Sequence, residues 1–382
     1  WWVAGLIATV PLLQLVPLPP AIWHALPGRD VLRESLALVG DEQSWRPWSV
    51  APQRTLDGLF SLLPPVLAMV MVASLSERGR LALLKAVAIF ALVSVGVGAG
   101  QLASAGHGPL HFYVGSDVGV LSGFQANRNA QVDVLLIGLL ALVAAWHDRA
   151  SRSRATIAAV GALALLLLLG AFLTGSRTGI VLAPLTLGWC LLLVRGGVFS
   201  SASAFRVRNL VLAGILGVGF AVATMPTRPV QQVLLRFNFT GEYRPDIWRD
   251  TLYAISQYWP VGSGLGTFTR VIGPAERLEA IGPVLPNRAH NEFLEMLLEG
   301  GLPLTFAWGA VAALVLIALV RALRGTSDVP RAQVIFTAGT LTVVALHSIV
   351  DYPFRSMALA GLVGVAAALV LVPPTRSGKL KS

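Results

Sequence analysis

Charge is scarce in this chain: Asp, Glu, Lys and Arg make up 13% of its 382 residues, about half the share of an average soluble domain. A soluble core of this length does not need the 55% of hydrophobic residues found here. A bilayer does, because each spanning helix takes about 20 mostly apolar residues and must satisfy its own backbone polar groups. Cysteine is almost absent. Cys190 stands alone, within an apolar run, which excludes an intramolecular disulfide and a cysteine-based metal cluster and leaves inert packing as its role. Histidine and carboxylates show no recognisable metal spacing, and no Walker A sequence occurs. Neither a metal, a cofactor nor ATP hydrolysis is therefore expected. There is no repeat of fixed period and no low-complexity tract. An initiator methionine is also missing, since the chain begins Trp1-Trp2; it reads as a fragment or a processed form, so that any count of its spans is a minimum.

Long apolar runs are abundant. Mean hydropathy is +0.71, and a window of about 19 residues picks out ten candidate spans: 1–18, 56–76, 81–100, 130–146, 155–174, 179–194, 209–225, 302–323, 332–350 and 356–372. Pro11, Pro17, Pro19 and Pro20 interrupt or end the first, and Pro64-Pro65 should kink the second. The expected class is an all-α, polytopic membrane protein.

The basic residues give these spans a direction. They gather on alternate connections: Arg78, Arg80 and Lys85; Arg149, Arg152 and Arg154; Arg195, Arg206 and Arg208; Arg321, Arg324 and Arg331; Arg376, Lys379 and Lys381. These groups hold 15 of the 29 Lys and Arg but stand beside only Glu77, Asp148 and Asp328, whereas the rest of the chain has 14 basic and 16 acidic residues. The positive-inside rule makes the first side cytoplasmic. The net charge of +10 thus reflects topology; nucleic acid is not implied, because the basic groups are short and lack interleaved aromatics.

The outer face then receives 19–55, 101–129, the turn at 175–178, the long segment 226–301 and the turn at 351–355. The long segment exceeds ordinary connections, and such loops usually carry function. Along 246–258 and at the residue that follows, Ile247, Trp248, Leu252, Ile255 and Trp259 recur at helical steps before Pro260. This predicts a short amphipathic helix, lying either at the membrane interface or against the rest of the loop. The simplest organisation is one membrane domain, 1–382, with an embedded extracytoplasmic lobe at 226–301.

Candidate functional residues collect on that outer face. Arg177, in Gly175-Ser176-Arg177-Thr178-Gly179, puts a guanidinium at the boundary between two apolar runs, where it serves either as a snorkelling anchor or as a phosphate-binding fork. Arg244 precedes the amphipathic helix and could instead pair with Glu242 or Asp246. His290 falls in Asn287-Arg288-Ala289-His290-Asn291-Glu292, read as the first turn of a helix with Asn287 as its N-cap and Gly300-Gly301 as its stop. A helix N-terminus disfavours imidazolium, so a neutral ring fit for general-base work is reasonable beside a purely structural role. His347 and Asp351 stand four residues apart at the end of a span, where they either close the helix end or orient a reacting group. Gly262, Gly264 and Gly266 imitate part of a dinucleotide fingerprint, but without strand-to-helix context they read as turn glycines.

Taken in order, these pieces resemble the O-antigen ligase and polymerase superfamily of bacterial membrane glycosyltransferases over roughly residues 123–353. The match runs through Gly123-Phe124, Asn127-Arg128-Asn129, Gly175 to Gly179, Arg244 with Trp248, the 260–268 glycine stretch, His290-Asn291-Glu292-Phe293-Leu294, Glu299-Gly300-Gly301, His347-Ser348 and Asp351-Tyr352-Pro353. The resemblance implies a C-type glycosyltransferase (GT-C) fold in the bacterial inner membrane, with its active site facing the periplasm. It implies an undecaprenyl diphosphate-linked glycan donor and an acceptor that is lipid A-core or a second lipid-linked glycan. Arg177 and Arg244 match the family's diphosphate-binding arginines and His290 its essential histidine. Arg288 is a further candidate cation, and Ser176, Asn291, His347 and Asp351 are supporting positions. An O-antigen ligase is the expected activity, ahead of a polysaccharide polymerase. A transporter would place ionisable residues in the middles of several spans, which here are nearly free of charge.

Overall fold

A computed structural model describes residues 2–104, 108–113, 118–147, 153–195, 243–282 and 285–372. The expected span at 209–225, the segment 226–242 with Glu242, and the basic residues Arg149, Arg152, Arg206, Arg208, Arg376, Lys379 and Lys381 lie outside them. The described residues are mostly helical, and they form two compact units. One comprises Trp1–Ala68, Gly241–Ile317 and His347–Gly361; the other Met69–Thr240, Ala318–Leu346 and Leu362–Ser382.

In chain order the helices are α1 (Trp2–Gln14), α2 (Pro20–Trp23), α3 (Asp30–Ala37), α4 (Pro52–Phe60), α5 (Leu63–Ser74), α6 (Glu77–Ala103) and α7 (Arg128–His147). They continue as α8 (Arg154–Leu173), α9 (Arg177–Arg195), α10 (Arg244–Tyr258), α11 (Phe268–Val271), α12 (Glu292–Leu323), α13 (Arg331–His347) and α14 (Met357–Leu371). Two short strands, β1 (Pro17–Leu18) and β2 (Arg46–Pro47), pair antiparallel.

Among the described residues, five helical stretches are long and apolar enough to cross a membrane: Pro52–Ser74, Glu77–Ala103, Arg128–His147, Ala155–Leu173 and Glu292–Leu323. Trp2–Gln14, Arg177–Leu193 and Met357–Leu371 are apolar but shorter. The first of the five is divided between α4 and α5, with Pro64 and Pro65 in the opening turn of α5. Proline is tolerated there because the first amides of a helix have no intrahelical acceptor.

The second unit is built around α7. Of its most apolar window, 78% is buried, against 17% for α8, and α6, α8 and α9 all pack on it. Lipid gives helices little hydrophobic reason to associate, so small residues that admit a neighbour closely are the usual solution. Gly138 of α7 is such a position, since a Cβ there would collide with Ala91 of α6. A polar seam runs beside this contact: Ser94 Oγ donates to Gln131 Oε1 at 3.0 Å, and Gln101 exchanges 2.8 Å hydrogen bonds with the backbone of Gly123.

The first unit has its own core. Ile247 and Ala254 of α10 are buried with Phe268, Val271, Ile272, Ala275, Ala289 and Leu298. The inward face of α10 is thus 247, 251, 254 and 258, packed on the rest of the loop, while Leu252, Tyr253 and Trp259 remain exposed. Arg29 secures the N-terminal segment to this core, donating to the carbonyls of Pro27 (2.9 Å), Trp48 (2.6 Å) and Gly262 (3.3 Å). Burial lowers its pKa to about 10, against the opposing influence of Tyr258.

The glycine pair at 300–301 does not stop its helix. Gly301 takes φ 55°, ψ −150°, a bend after which α12 resumes. The bend releases backbone groups, and loop 260–265 meets them. Leu302 N donates to Pro260 O at 2.9 Å, Ser263 N to Leu298 O at 2.9 Å and Gly264 N to Glu299 O at 2.8 Å. Gln14 adds a side-chain donor to Glu299 O at 3.0 Å. These donors meet the carbonyls of Leu298 and Glu299 that the bend releases, as burial demands. Gly262, Gly264 and Gly266 all have positive φ, so they are turn glycines that let this loop approach the bend.

Candidate functional site

His290 lies in the first unit, immediately before α12. The helix begins four residues later than the sequence pattern indicates, at Glu292. Its cap is Asn291 and not Asn287: Asn291 Oδ1 accepts from Phe293 N at 3.0 Å and from Leu294 N at 3.1 Å. His290 is therefore outside the first turn. It holds φ 48°, the one non-glycine residue with positive φ among those described. Such a backbone persists where surrounding contacts over-determine it, and it concentrates at functional sites.

Those contacts converge from both sides of the histidine. Ala289 N donates to Glu295 Oε2 at 3.1 Å, while Arg288 Nη1 donates to Glu295 Oε1 at 2.8 Å. On the other side Glu292 N donates to Ser348 O at 2.9 Å, which ties the start of α12 to the end of α13. His290 Nδ1 stands 3.3 Å from Asp351 Oδ1. The ring is 14% exposed and the Asp351 carboxylate 5%. Tyr352 and Tyr243 present edges to the imidazole, with ring centroids at 5.1 and 6.1 Å. His347, buried, reaches the other oxygen of Asp351 at 3.9 Å, beyond ordinary hydrogen-bond length. Asp351 thus faces two histidines, His290 at the shorter distance.

Arg244 opens α10 directly after Tyr243, so the chain brings this arginine to the neighbourhood of the His290 ring. Of its two sequence neighbours with acidic side chains, Asp246 is engaged by Arg277 at 2.8 Å. Arg277 also holds buried Asp250 at 2.7 Å, and these hydrogen bonds, first to Asp250 and then to Asp246, raise its pKa.

Ser176 and Arg177 lie in the second unit, where local rules explain their motif. Gly175 takes φ 63° and ends α8 in the left-handed conformation that glycine adopts without cost. Ser176 then caps α9, its Oγ accepting from Gly179 N at 3.3 Å. Arg177 is the first residue of α9. Its guanidinium therefore belongs to a helix N-terminus, an end whose dipole favours anions.

One cluster escaped the sequence reading. Glu292, Glu295 and Glu299 follow one another down a face of α12, and Arg355 meets all three: Glu292 Oε1 at 3.1 Å, Glu295 Oε1 at 3.3 Å and Glu299 Oε2 at 2.8 Å. Glu295 and Glu299 side chains are fully buried. Burial by itself would lower the Arg355 pKa, but the charges of Glu299, Glu295 and Glu292 outweigh it and hold the guanidinium protonated well above its ordinary range. The 292, 295, 299 spacing at the head of an apolar helix was the available signal, since three acids on one buried face require a cation. Among the described residues, no group of three or more His, Cys, Asp or Glu side chains is arranged to hold a metal ion.

Residues 162–309 match the family model described as O-antigen ligase. The matched segment takes in Ser176, Arg177, Arg244, Arg288, His290 and Asn291; His347 and Asp351 follow it. No curated protein matches the chain.

Proposed function

We propose that this chain, which belongs to the O-antigen ligase superfamily, is a ligase that moves a glycan from an undecaprenyl diphosphate carrier to a hydroxyl of lipid A-core. The observation that carries the reading is the approach of His290 Nδ1 to Asp351 Oδ1 at 3.3 Å. With its proton on Nδ1 the imidazole donates to the carboxylate, and Nε2 is left with a lone pair to accept a proton. In the proposed step the acceptor oxygen attacks the anomeric carbon from the face opposite the diphosphate. Its proton passes to His290 Nε2, the bond from the anomeric carbon to the phosphate oxygen breaks, and the diphosphate leaves with that electron pair. One displacement of this kind inverts the anomeric centre.

Arg177 and Arg244 are the proposed diphosphate ligands, with Arg288 secondary because Glu295 already engages it. Fixed guanidinium donors meet the charge that grows on a leaving diphosphate, a task that metal ions perform in other enzymes. Ser176 and Asn291 support the reading as helix caps that place Arg177 and His290. The wider proposal is a GT-C fold of about ten spans in the inner membrane, its long loop in the periplasm.

The test is reconstitution with a defined undecaprenyl diphosphate glycan and two competing acceptors, lipid A-core and a second lipid-linked repeat. Transfer to lipid A-core with inversion, undiminished by excess chelator, is expected. Elongation of the lipid-linked repeat would make the protein a polymerase, and no product with either acceptor would contradict transferase activity altogether.

A further inference from the structure

His290 and Asp351 are 61 positions apart and belong to two segments, 288–299 and 347–355, that one side chain fastens together. Arg355 follows Tyr352, whose ring touches His290, and lies four residues beyond Asp351. Its guanidinium reaches Glu292, Glu295 and Glu299 on α12, which starts two residues after His290. The same carboxylates also hold the backbone. Glu295 Oε2 accepts from Ala289 N, the residue before the histidine, and Glu299 Oε1 accepts from Phe268 N at 3.1 Å, linking the helix to the loop core.

We propose that Arg355 is a positioning residue: by bridging three carboxylates of α12 it sets the spacing between His290 and Asp351 and so the orientation of the imidazole. Three features support this role over charge neutralisation alone. Its contacts are distributed over two turns of α12, so the guanidinium fixes the axial position of the helix as well as its charge. Two different nitrogens are engaged, Nε by Glu292 and Nη2 by Glu295 and Glu299, a planar fork that lysine's single ammonium cannot reproduce. Finally, His290 holds a left-handed backbone, which needs restraint from both sides, and Glu295 restrains one side while the tie from Glu292 N to Ser348 O restrains the other.

This inference rests on His290 being the proton acceptor, and the experiment separates the two ideas. The full chain in nanodiscs is prepared as wild type, Arg355→Lys and Glu292→Gln, with histidine side chains labelled with 15N and the His290 signals assigned from a His290→Gln sample. Arg355→Lys keeps the charge and removes the planar fork; Glu292→Gln loosens one contact of the fork and serves if the lysine variant does not fold. The expected result is an altered Nδ1 and Nε2 signature for His290, with thermal unfolding near that of wild type. The expected kcat falls between about tenfold and about 10²-fold, the range of a misplaced catalytic group, with KM little changed. An unaltered His290 signature in a folded variant overturns the positioning role, even if transfer by the wild type confirms the reaction. An altered signature in a protein that transfers no glycan upholds the positioning and sinks the reaction instead.

Discussion

The middle of α7 and the inward face of the first two turns of α12 are both buried, but different forces hold them. α7 is enclosed by α6, α8 and α9 with apolar contacts such as the close approach of Gly138 to Ala91. The start of α12 carries Glu292, Glu295 and Glu299, and its place is set by Arg355, Arg288, the Asn291 cap and backbone ties to loop 260–265 and Ser348. Close packing supplies a frame that needs no particular chemistry at each position. The paired charges supply direction, because a hydrogen-bonded carboxylate tolerates little displacement before its partner is left unmet. Candidate catalytic groups lie where the second kind of restraint is densest.

If that division is right, substitutions in the two regions should part company in what they damage. Arg244→Ala, next in the chain to Tyr243, is expected to lower the single-turnover transfer rate by about 10²- to 10³-fold, as loss of a donor to developing charge does, with thermal unfolding in detergent near that of wild type. Gly138→Leu should do the reverse. Overpacking against Ala91 is expected to cost about 1–3 kcal/mol, read as a lower unfolding midpoint, while the fraction that remains folded transfers glycan at the wild-type rate. Asn291→Ala removes the cap of α12 and should cost about 1 kcal/mol, with most of that recovered by Asn291→Asp, which keeps the accepting oxygen. Comparable loss of rate per folded molecule in Gly138→Leu and Arg244→Ala would erase the distinction.

The same contrast explains which features the amino-acid pattern reveals. α6, α7 and α8 follow from uninterrupted apolar runs, because a membrane span needs only local composition. The amphipathic helix at 246–258 is likewise visible, although its inward face is Ile247, Thr251, Ala254 and Tyr258 and not the line through Leu252 and Trp259. Periodicity cannot choose between packing partners that come from elsewhere in the chain. The bend at Gly301 has a similar cause: two glycines followed by Pro303 look like a helix end, and only the donors of Ser263 and Gly264 allow the helix to resume. Likewise Asn287 and Asn291 are equally good caps by residue type, and the tie of Glu292 N to Ser348 selects the second start. Arg355 went unmarked because its partners are more than 50 positions away. The pairing of His290 with Asp351 had no local trace either: each residue is a candidate on its own outer segment, and only the fold brings the two side chains together.

In the proposed reaction His290, oriented by Asp351, accepts the proton of the acceptor hydroxyl. Single-turnover transfer by purified His290→Ala, measured with lipid A-core and a defined undecaprenyl diphosphate glycan beside wild type of matched thermal stability, decides whether it does. A rate lower by about 10²- to 10⁴-fold, the usual contribution of a general base, is predicted. Turnover equal to that of the wild type would remove His290 from the proton transfer.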